Sequence, residues 1–324
     1  MLIVEVAAFG GPEVLVPREV PDLVAEPGQV VIDVAVVPVL FLDTQIRSGH
    51  ASGWFPIQPP YVPGAGVAGR VAAVGDDVDA SWMGRPVVAD TGGQGGYAER
   101  AAVPAEALVP IPDGLGLEEA AALQHDGRTA LKLLEVAGIE SSETALVTAA
   151  AGGLGILAVQ LAHQTGARVV GAARGGRKLE AAHNAGADLL VDYSEAGWAK
   201  RALEATGGTG FDVVFDGAGG QLGREAFGSV RPGGRFLGYG APSGGFAAVG
   251  PEEPNRHQVT MFGIQEVQFD PTEGRRLAAL ALSEGAAGRL TPNIGQTRPL
   301  RAASEAHAAI EGREVIGKTL LIAS

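Results

Sequence analysis

The amino-acid sequence predicts an α/β protein in two parts. One is a doubly wound parallel sheet in the middle of the chain, and the other is a small antiparallel β-barrel in its N-terminal third. Two observations predict the first part. An apolar run, a glycine turn and a helix follow one another over residues 144–164, and short apolar runs then alternate with helices as far as Gly240. Runs of that kind, bounded by Gly with helices between them, belong to a parallel sheet covered on both faces. The second part is predicted by a change of texture, to many short strands at irregular spacing cut by Gly/Pro turns.

The central domain opens with the apolar run Ala145–Val147. Gly152, Gly153 and Gly155 follow, and then the helix Ile156–Gln164. Strand, glycine turn and helix in that order point helix N–H groups and the positive dipole end at an anion, usually a dinucleotide pyrophosphate. The spacing departs from G-x-G-x-x-G, because Ala150 stands where the first Gly would be, and a bare tight turn is the alternative reading. Next come a strand over Ala167–Ala173, a helix over Gly176–Asn184 and a short strand over Asp188–Asp192. A helix over Glu195–Ala205, the apolar strand Phe211–Phe215, a helix over Leu222–Val230 and a strand over Arg235–Gly240 complete the series. This order is that of a nucleotide-binding domain.

The end of the second strand decides which dinucleotide. NAD-binding versions carry an Asp or Glu roughly 20 residues after the glycine turn to hold the ribose 2′-hydroxyl. Here the segment reads A-A-R-G-G-R-K, with Arg174, Arg177 and Lys178 and no carboxylate. Cations suit a 2′-phosphate, which a carboxylate would repel. Basic residues at a helix start oppose the dipole, so three of them there need another reason.

Composition bounds the rest. A chain of 324 residues exceeds one typical core and suits two domains. It has no apolar run long enough to cross a bilayer, and M-L-I-V-E-V at the start reads as a strand, not a signal peptide. There is no cysteine, which removes disulfides, thiolate catalysis and Cys-ligated zinc and fits a cytoplasmic enzyme. A net charge of −13 argues against a nucleic-acid or anionic membrane partner.

Strands are expected in the N-terminal third at Leu2–Ala8, Val30–Val37, Gly69–Val74, Arg85–Ala89 and Ala98–Val103. Gly114–Ala120 leads into the central domain, with Glu118 and Glu119 suiting a helix start. After Tyr239 a loop over Ala241–Pro254 leads to a strand at Val259–Phe262, a helix at Thr272–Ser283 and a last strand at Gly317–Ile322, expected to return to the first domain. The expected boundaries are 1–118, 119–258 and 259–324.

Several segments in register resemble one family. They are F-G-G-P-E-V-L at Phe9–Leu15, V-P-G-A-G-V-A-G at Val62–Gly69, G-G-Y-A-E at Gly95–Glu99 and P-A-E-A-L-V-P-I-P at Pro104–Pro112. A-A-A-G-G-L-G at Ala149–Gly155 and V-I-G-K-T-L-L at Val315–Leu321 join them. With these the chain resembles, nearly end to end, the zinc-free medium-chain dehydrogenases/reductases of the quinone oxidoreductase (zeta-crystallin-like) branch. The resemblance implies a GroES-like barrel with a Rossmann domain inserted, and hydride transfer from NADPH to a quinone or an activated C=C. It places Lys178 and Tyr193 at the adenosine 2′-phosphate and ribose, and Tyr239 and the Ala241–Gly244 loop along the nicotinamide half. The full cofactor-binding set expected is Ala151, Gly152, Gly153, Leu154, Gly155, Arg174, Arg177, Lys178, Tyr193, Gly219, Tyr239, Gly240, Ala241, Gly244 and Lys318.

The chain also departs from that family. Leu40 stands where Asn is usual, with Asp43 retained; Gly66 stands where Glu is common; Asp126, not Gln, precedes Gly127-Arg128-Thr129-Ala130. The substrate is therefore expected between the two domains, over the nicotinamide, bounded by Leu40, Asp43, Tyr61, Gly66, Asp126 and Arg128, with Gly66 leaving space for a bulky, largely apolar acceptor. Asp43, Tyr61 and Asp126 are the candidate catalytic residues, with packing the alternative for Tyr61 and helix capping or a structural role the alternative for Asp126. His50 is a weaker candidate acid, and Asp212 and Asp216 are read as strand-end hydrogen-bonding residues. No metal site is expected. An enoyl or enone reductase is the enzyme alternative, and a non-catalytic NADPH-binding protein the alternative of another class. A homodimer is expected because Arg235–Gly240 reads as the last strand of its sheet, whose open edge invites a second copy.

Overall fold

The structure is a computed structural model and describes residues 1–323. The chain forms two compact units: Met1–His125 together with the stretch that begins at Pro271, and Asp126–Asp270. One unbroken helix, Leu117–Ala137, runs through the division at His125 and Asp126. Thr260–Phe262 pairs with the sheet that precedes it and lies in the second unit.

The second unit holds a six-stranded, wholly parallel sheet in the order Leu189–Asp192, Arg168–Ala173, Thr144–Thr148, Phe211–Asp216, Val230–Gly238, Thr260–Phe262. The order reverses beside Thr144–Thr148, the first strand in sequence, so the ends of this strand and Phe211–Asp216 flank the switch point where such sheets bind ligands. Both faces are buried, as the near-continuous apolar runs require. Ala145, Val147, Val213 and Phe215 pack on one side with Leu133 and Val159, while Leu146, Val170, Val214 and Phe236 pack on the other with Trp198 and Phe227. The helix Gly176–Asn184 has the bounds its sequence suggests. The next helices are shorter than read, Trp198–Glu204 and Gly220–Phe227. Val230 opens a strand instead of closing a helix, because it pairs with Phe211.

Arg235–Gly240 is not the last strand of the sheet. The strand that contains it, Val230–Gly238, is covered on its outer side by Thr260–Phe262, so the edge-pairing argument for a dimer fails at that place. The edge belongs to Thr260–Phe262, where Thr260 and Met261 are exposed.

In the first unit a seven-stranded sheet runs Ile294–Pro299, Lys318–Ile322, Gln29–Val39, Gly66–Val74, Pro86–Asp90, Leu108–Pro110, with Arg100–Pro104 also on Gln29–Val39. The long strand serves three partners, because register shifts at Val31/Ile32 and Val34/Val36 bend it. Leu2–Val6 and Leu15–Glu19 form a separate ribbon. Ile32, Val37, Val67, Val87 and Leu321 lie in the apolar core. Burying each side chain of this size contributes roughly 1.5–3 kcal/mol.

That unit also buries charge. The helices Phe41–Ser48 and Ala303–Glu311 are joined by an ion pair from Arg47 to Glu311, and Arg47 is 1% exposed. Sequence patterning shows neither helix. The first starts directly after a strand with Leu40 at its N-cap instead of a capping Ser, Thr, Asp or Asn. No helix among the described residues is long and apolar enough to cross a membrane.

Removing the Glu311 carboxylate, itself exposed, leaves the buried Arg47 guanidinium without its partner. Glu311→Ala is therefore expected to destabilise the protein by about 1–3 kcal/mol, read as a lower urea midpoint at unchanged m-value. A midpoint equal to that of wild type would show that solvent already compensates Arg47.

Candidate active site

In the second unit the strand Thr144–Thr148 ends in a turn in which Ala149 takes a positive φ of 51° and Gly152 is the N-cap of the helix Gly153–Gln164. Gly152 has no side chain to cap with, so the N–H groups of Gly153, Leu154 and Gly155 in the first turn face outward with the dipole behind them. Gly155 cannot carry a side chain, because a Cβ would fall within contact distance of the Ala149 carbonyl oxygen. This is a cradle that fits a pyrophosphate.

Asp216 holds the neighbouring loops. Its Oδ1 accepts hydrogen bonds from Thr148 Oγ1 (2.7 Å) and from the N–H groups of Ala218 (3.1 Å) and Gly219 (3.2 Å). Thr148 Oγ1 in turn accepts from the N–H groups of Gly217 (3.0 Å) and Ala218 (3.1 Å). The Asp216 carbonyl accepts from the N–H groups of Tyr239 and Gly240, each at 3.1 Å. One buried residue thus fixes the strand end beside the glycine turn, the 217–219 loop and the start of the 239–245 loop. Burial pushes its carboxyl pKa up, against the pull of the Thr148, Gly219 and Ala218 bonds. The two loops meet backbone to backbone, since a Cβ on Gly219 or Gly240 would strike carbonyl oxygens of the opposite loop. Tyr239 lies at their junction, its phenol pKa raised by burial and by the charges of Asp216 and Asp126.

Arg174 and Arg177 are exposed after the strand Arg168–Ala173, and Lys178 is half-buried in the helix Gly176–Asn184. The structure adds a group that local sequence does not show. Asp192 arrives from the neighbouring strand and accepts hydrogen bonds from the Gly175 N–H (2.9 Å) and Ser194 Oγ (2.5 Å). Although burial works against it, those bonds and the charge of Arg174 hold its pKa below the usual carboxylate range. A carboxylate is thus present near the cations, but its oxygens serve backbone and Ser194. Tyr193 stands edge-on to Trp198 at 6.2 Å between ring centroids. Asp126 and Arg128 are buried on the helix Leu117–Ala137, with the Arg128 guanidinium 4.9 Å from the Phe269 ring centroid.

In the first unit Asp43 is 3% exposed. Its Oδ2 accepts the Leu40 N–H (2.8 Å) at the helix start and the Tyr97 hydroxyl (3.3 Å). The Gly64 N–H also bonds to the carboxylate. Tyr97 has one proton to give, so with Asp43 ionised the 2.8 Å bond to His307 has Nε2–H donating to the phenol oxygen. Burial and the charge of Arg47 lower the His307 pKa to about 3, leaving the ring neutral. Asp43 therefore ties Leu40 and the Gly64–Gly66 turn to the core. Burial raises its pKa to about 6, against the pull of the Leu40, Tyr97 and Gly64 bonds and the Lys318 charge. Lys318 lies in the last strand of this unit and is 4% exposed. Tyr61 is also buried, its phenol pKa raised by burial and by Asp43. His50, the weaker candidate acid, is exposed and pairs with Ser48 at 2.9 Å.

Gly66 does not leave space. A Cβ there would lie 2.5 Å from Gln124 Oε1 and 2.8 Å from its Cδ, so the Gln124 side chain fills the position. Gln124 carries no motif and escapes a reading based on local spacing.

Residues 26–113 match the alcohol dehydrogenase GroES-like domain family and residues 153–282 the zinc-binding dehydrogenase family. The quinone oxidoreductase of Pseudomonas aeruginosa is 31% identical, with 98% of each chain covered. The chain belongs to the quinone oxidoreductase family of medium-chain dehydrogenases/reductases. A 2-haloacrylate reductase from a Burkholderia species is 31% identical over 97% of this chain and 96% of its own. The structure of Escherichia coli quinone oxidoreductase complexed with NADPH superposes over all of both chains at a TM-score of 0.92 and 28% identity. The protein is accordingly an NADPH-dependent oxidoreductase with a GroES-like domain and a Rossmann-like domain.

In this reductase the raised pKa of Asp43 sets a pH dependence. A carboxyl pKa higher in the folded than in the unfolded state contributes stability that is fully present below the unfolded value and lost as pH rises through the folded one. Relative to Asp43→Asn, wild-type stability should fall by roughly 3 kcal/mol between about pH 4 and pH 7. Urea unfolding of both proteins across that range checks it, and a constant difference would mean that Asp43 is ionised throughout.

Proposed function

We propose that this reductase passes a hydride from NADPH to a quinone without a metal ion. The observation that carries the reading is end-to-end likeness to quinone oxidoreductases. The chemistry is compatible with it. Bound NADPH supplies the hydride and leaves as NADP⁺. The quinone takes that hydride and one proton from water to give a quinol, so no side-chain acid is required. Asp43 suits a positioning role, because its bonds are spent on Leu40, Gly64 and Tyr97. Leu40 and Gly66 would border the acceptor, and the apolar Leu40 favours a bulky apolar ring system over a small one.

Zinc independence is supported by the donor set. The chain has no cysteine, and no three His, Asp or Glu side chains among the described residues gather as a metal site requires. A second reading is favoured by the 2-haloacrylate reductase relative. Its name implies a C=C conjugated to a carboxylate, to which the same hydride could go. A homodimer through the exposed edge Thr260–Phe262, in the cytoplasm, completes the proposal.

NADPH oxidation with 2-methyl-1,4-naphthoquinone in the presence of a chelator tests the function, and full activity is expected. Dependence on added zinc, or activity with haloacrylate alone, would overturn it. Arg174, Arg177 and Lys178 are proposed to hold the 2′-phosphate, with Ala151–Gly155 on the pyrophosphate, Tyr193 on the ribose, and Gly219, Tyr239, Gly240, Ala241, Gly244 and Lys318 toward the nicotinamide. Lys178→Ala should raise the NADPH Kd roughly ten- to a hundredfold and leave NADH binding unchanged, measured by fluorescence titration. Equal loss for both cofactors would remove the phosphate contact.

A further inference from the structure

We propose that Gln124 determines acceptor specificity, its carboxamide taking the place of a residue-66 side chain and favouring acceptors that carry a hydrogen-bond donor beside the reducible carbonyl. The inference rests on the reading above, in which Leu40 and Gly66 border the acceptor.

Gly66 opens the strand Gly66–Val74, and its missing side chain is what admits Gln124. A Cβ on Gly66 would lie 2.5 Å from Oε1, 2.7 Å from Nε2 and 2.8 Å from Cδ. All three amide atoms are equally close, so the carboxamide lies against the Gly66 backbone, and no side chain at position 66 is compatible with it. The two residues form one unit: glycine on the strand, amide from the helix.

The helix offers an apolar setting for this amide. Ala120, Ala121, Ala122 and Leu123 precede it, all buried, and Gln124 itself is 2% exposed. Methionine or leucine would fill the same volume without burying polar atoms. Gln124 Oε1 has no hydrogen-bond partner, an unfavourable state for a buried carbonyl oxygen. The oxygen can only accept, so its complement is an N–H or O–H group. A plain quinone has none, whereas an amino- or hydroxyl-substituted one does. Sites built to bond such a group discriminate strongly against analogues that lack it.

The test compares 2-amino- and 2-methyl-1,4-naphthoquinone, which match in shape and differ in the donor. The ratio of their kcat/KM values, taken between wild type and Gln124→Met, cancels their intrinsic reactivities. The ratio should fall about tenfold or more in Gln124→Met, with the NADPH Kd within about twofold of wild type and no loss of Tm. Gly66→Ala, which pushes the amide aside, should reproduce the lost preference. An unchanged ratio overturns the proposal, and so does a raised NADPH Kd with a flat ratio, which would give the amide to the cofactor. If neither Gln124→Met nor Gln124→Leu folds, Gln124 is a packing residue and the proposal fails. Wild type that reduces neither quinone overturns the quinone reading too, whereas wild type that uses both and keeps its ratio on mutation overturns this inference alone.

Discussion

Turns that join strands to helices leave backbone N–H groups with no ladder to enter, and those groups must find acceptors if the turn is buried. In this reductase one buried carboxylate meets that demand in each unit. Asp216 gathers Thr148, Ala218 and Gly219 onto a single oxygen, and its own carbonyl takes the N–H groups of Tyr239 and Gly240. Asp43 gathers Leu40, Gly64 and Tyr97. Hydrogen bonds to an ionised group contribute about 1.5–3 kcal/mol each, roughly twice the neutral kind. The segments proposed to hold cofactor and acceptor are therefore fixed by groups that need not touch either.

Desolvation sets the terms of this arrangement. Both carboxyl groups have raised pKa values despite their donors, so burial outweighs the bonds in each case. Burial works against the charged form of each. Arg47 shows the same balance with the opposite charge: a guanidinium almost without solvent contact, met by Glu311 from another helix. Such pairs add little stability compared with an apolar replacement, but they punish loss of one partner. Together with Tyr97 and His307 they fix which helix lies against which turn in the first unit.

The repeating parts of the fold were legible because periodicity is local. Phe211–Phe215 reads as a buried strand and Gly176–Asn184 as a helix, each from its own residues. Parts that depend on distant partners were not. Val259–Phe262 reads as a strand from its own residues, but its place does not: only the pairing of Thr260–Phe262 with Arg235–Leu237 makes it the sheet edge. The helix Phe41–Ser48 has no capping side chain at Leu40, and Asp43 in its first turn accepts the Leu40 N–H instead of an N–H of the helix. At the site, the glycine turn and the three cations were legible as a run of residue types. Asp192 was not, since it reaches Gly175 from another strand.

Gly66 is the most instructive of these cases. Read along the chain, a glycine in place of a larger residue is a deletion, and the inference is empty space. Close packing forbids that inference, because interiors hold few voids larger than a water molecule and a missing side chain is usually replaced by a neighbour. The replacement here comes from a helix far along the sequence, and it alters the chemistry of the place along with its shape. A side chain at 66 would project from a strand whose backbone is fixed by pairing with Asp90. Gln124 projects from a helix and brings a neutral amide whose oxygen has no protein donor. Wherever a departure removes a side chain from a buried position, the residue that fills the volume carries the functional consequence, and only packing identifies it.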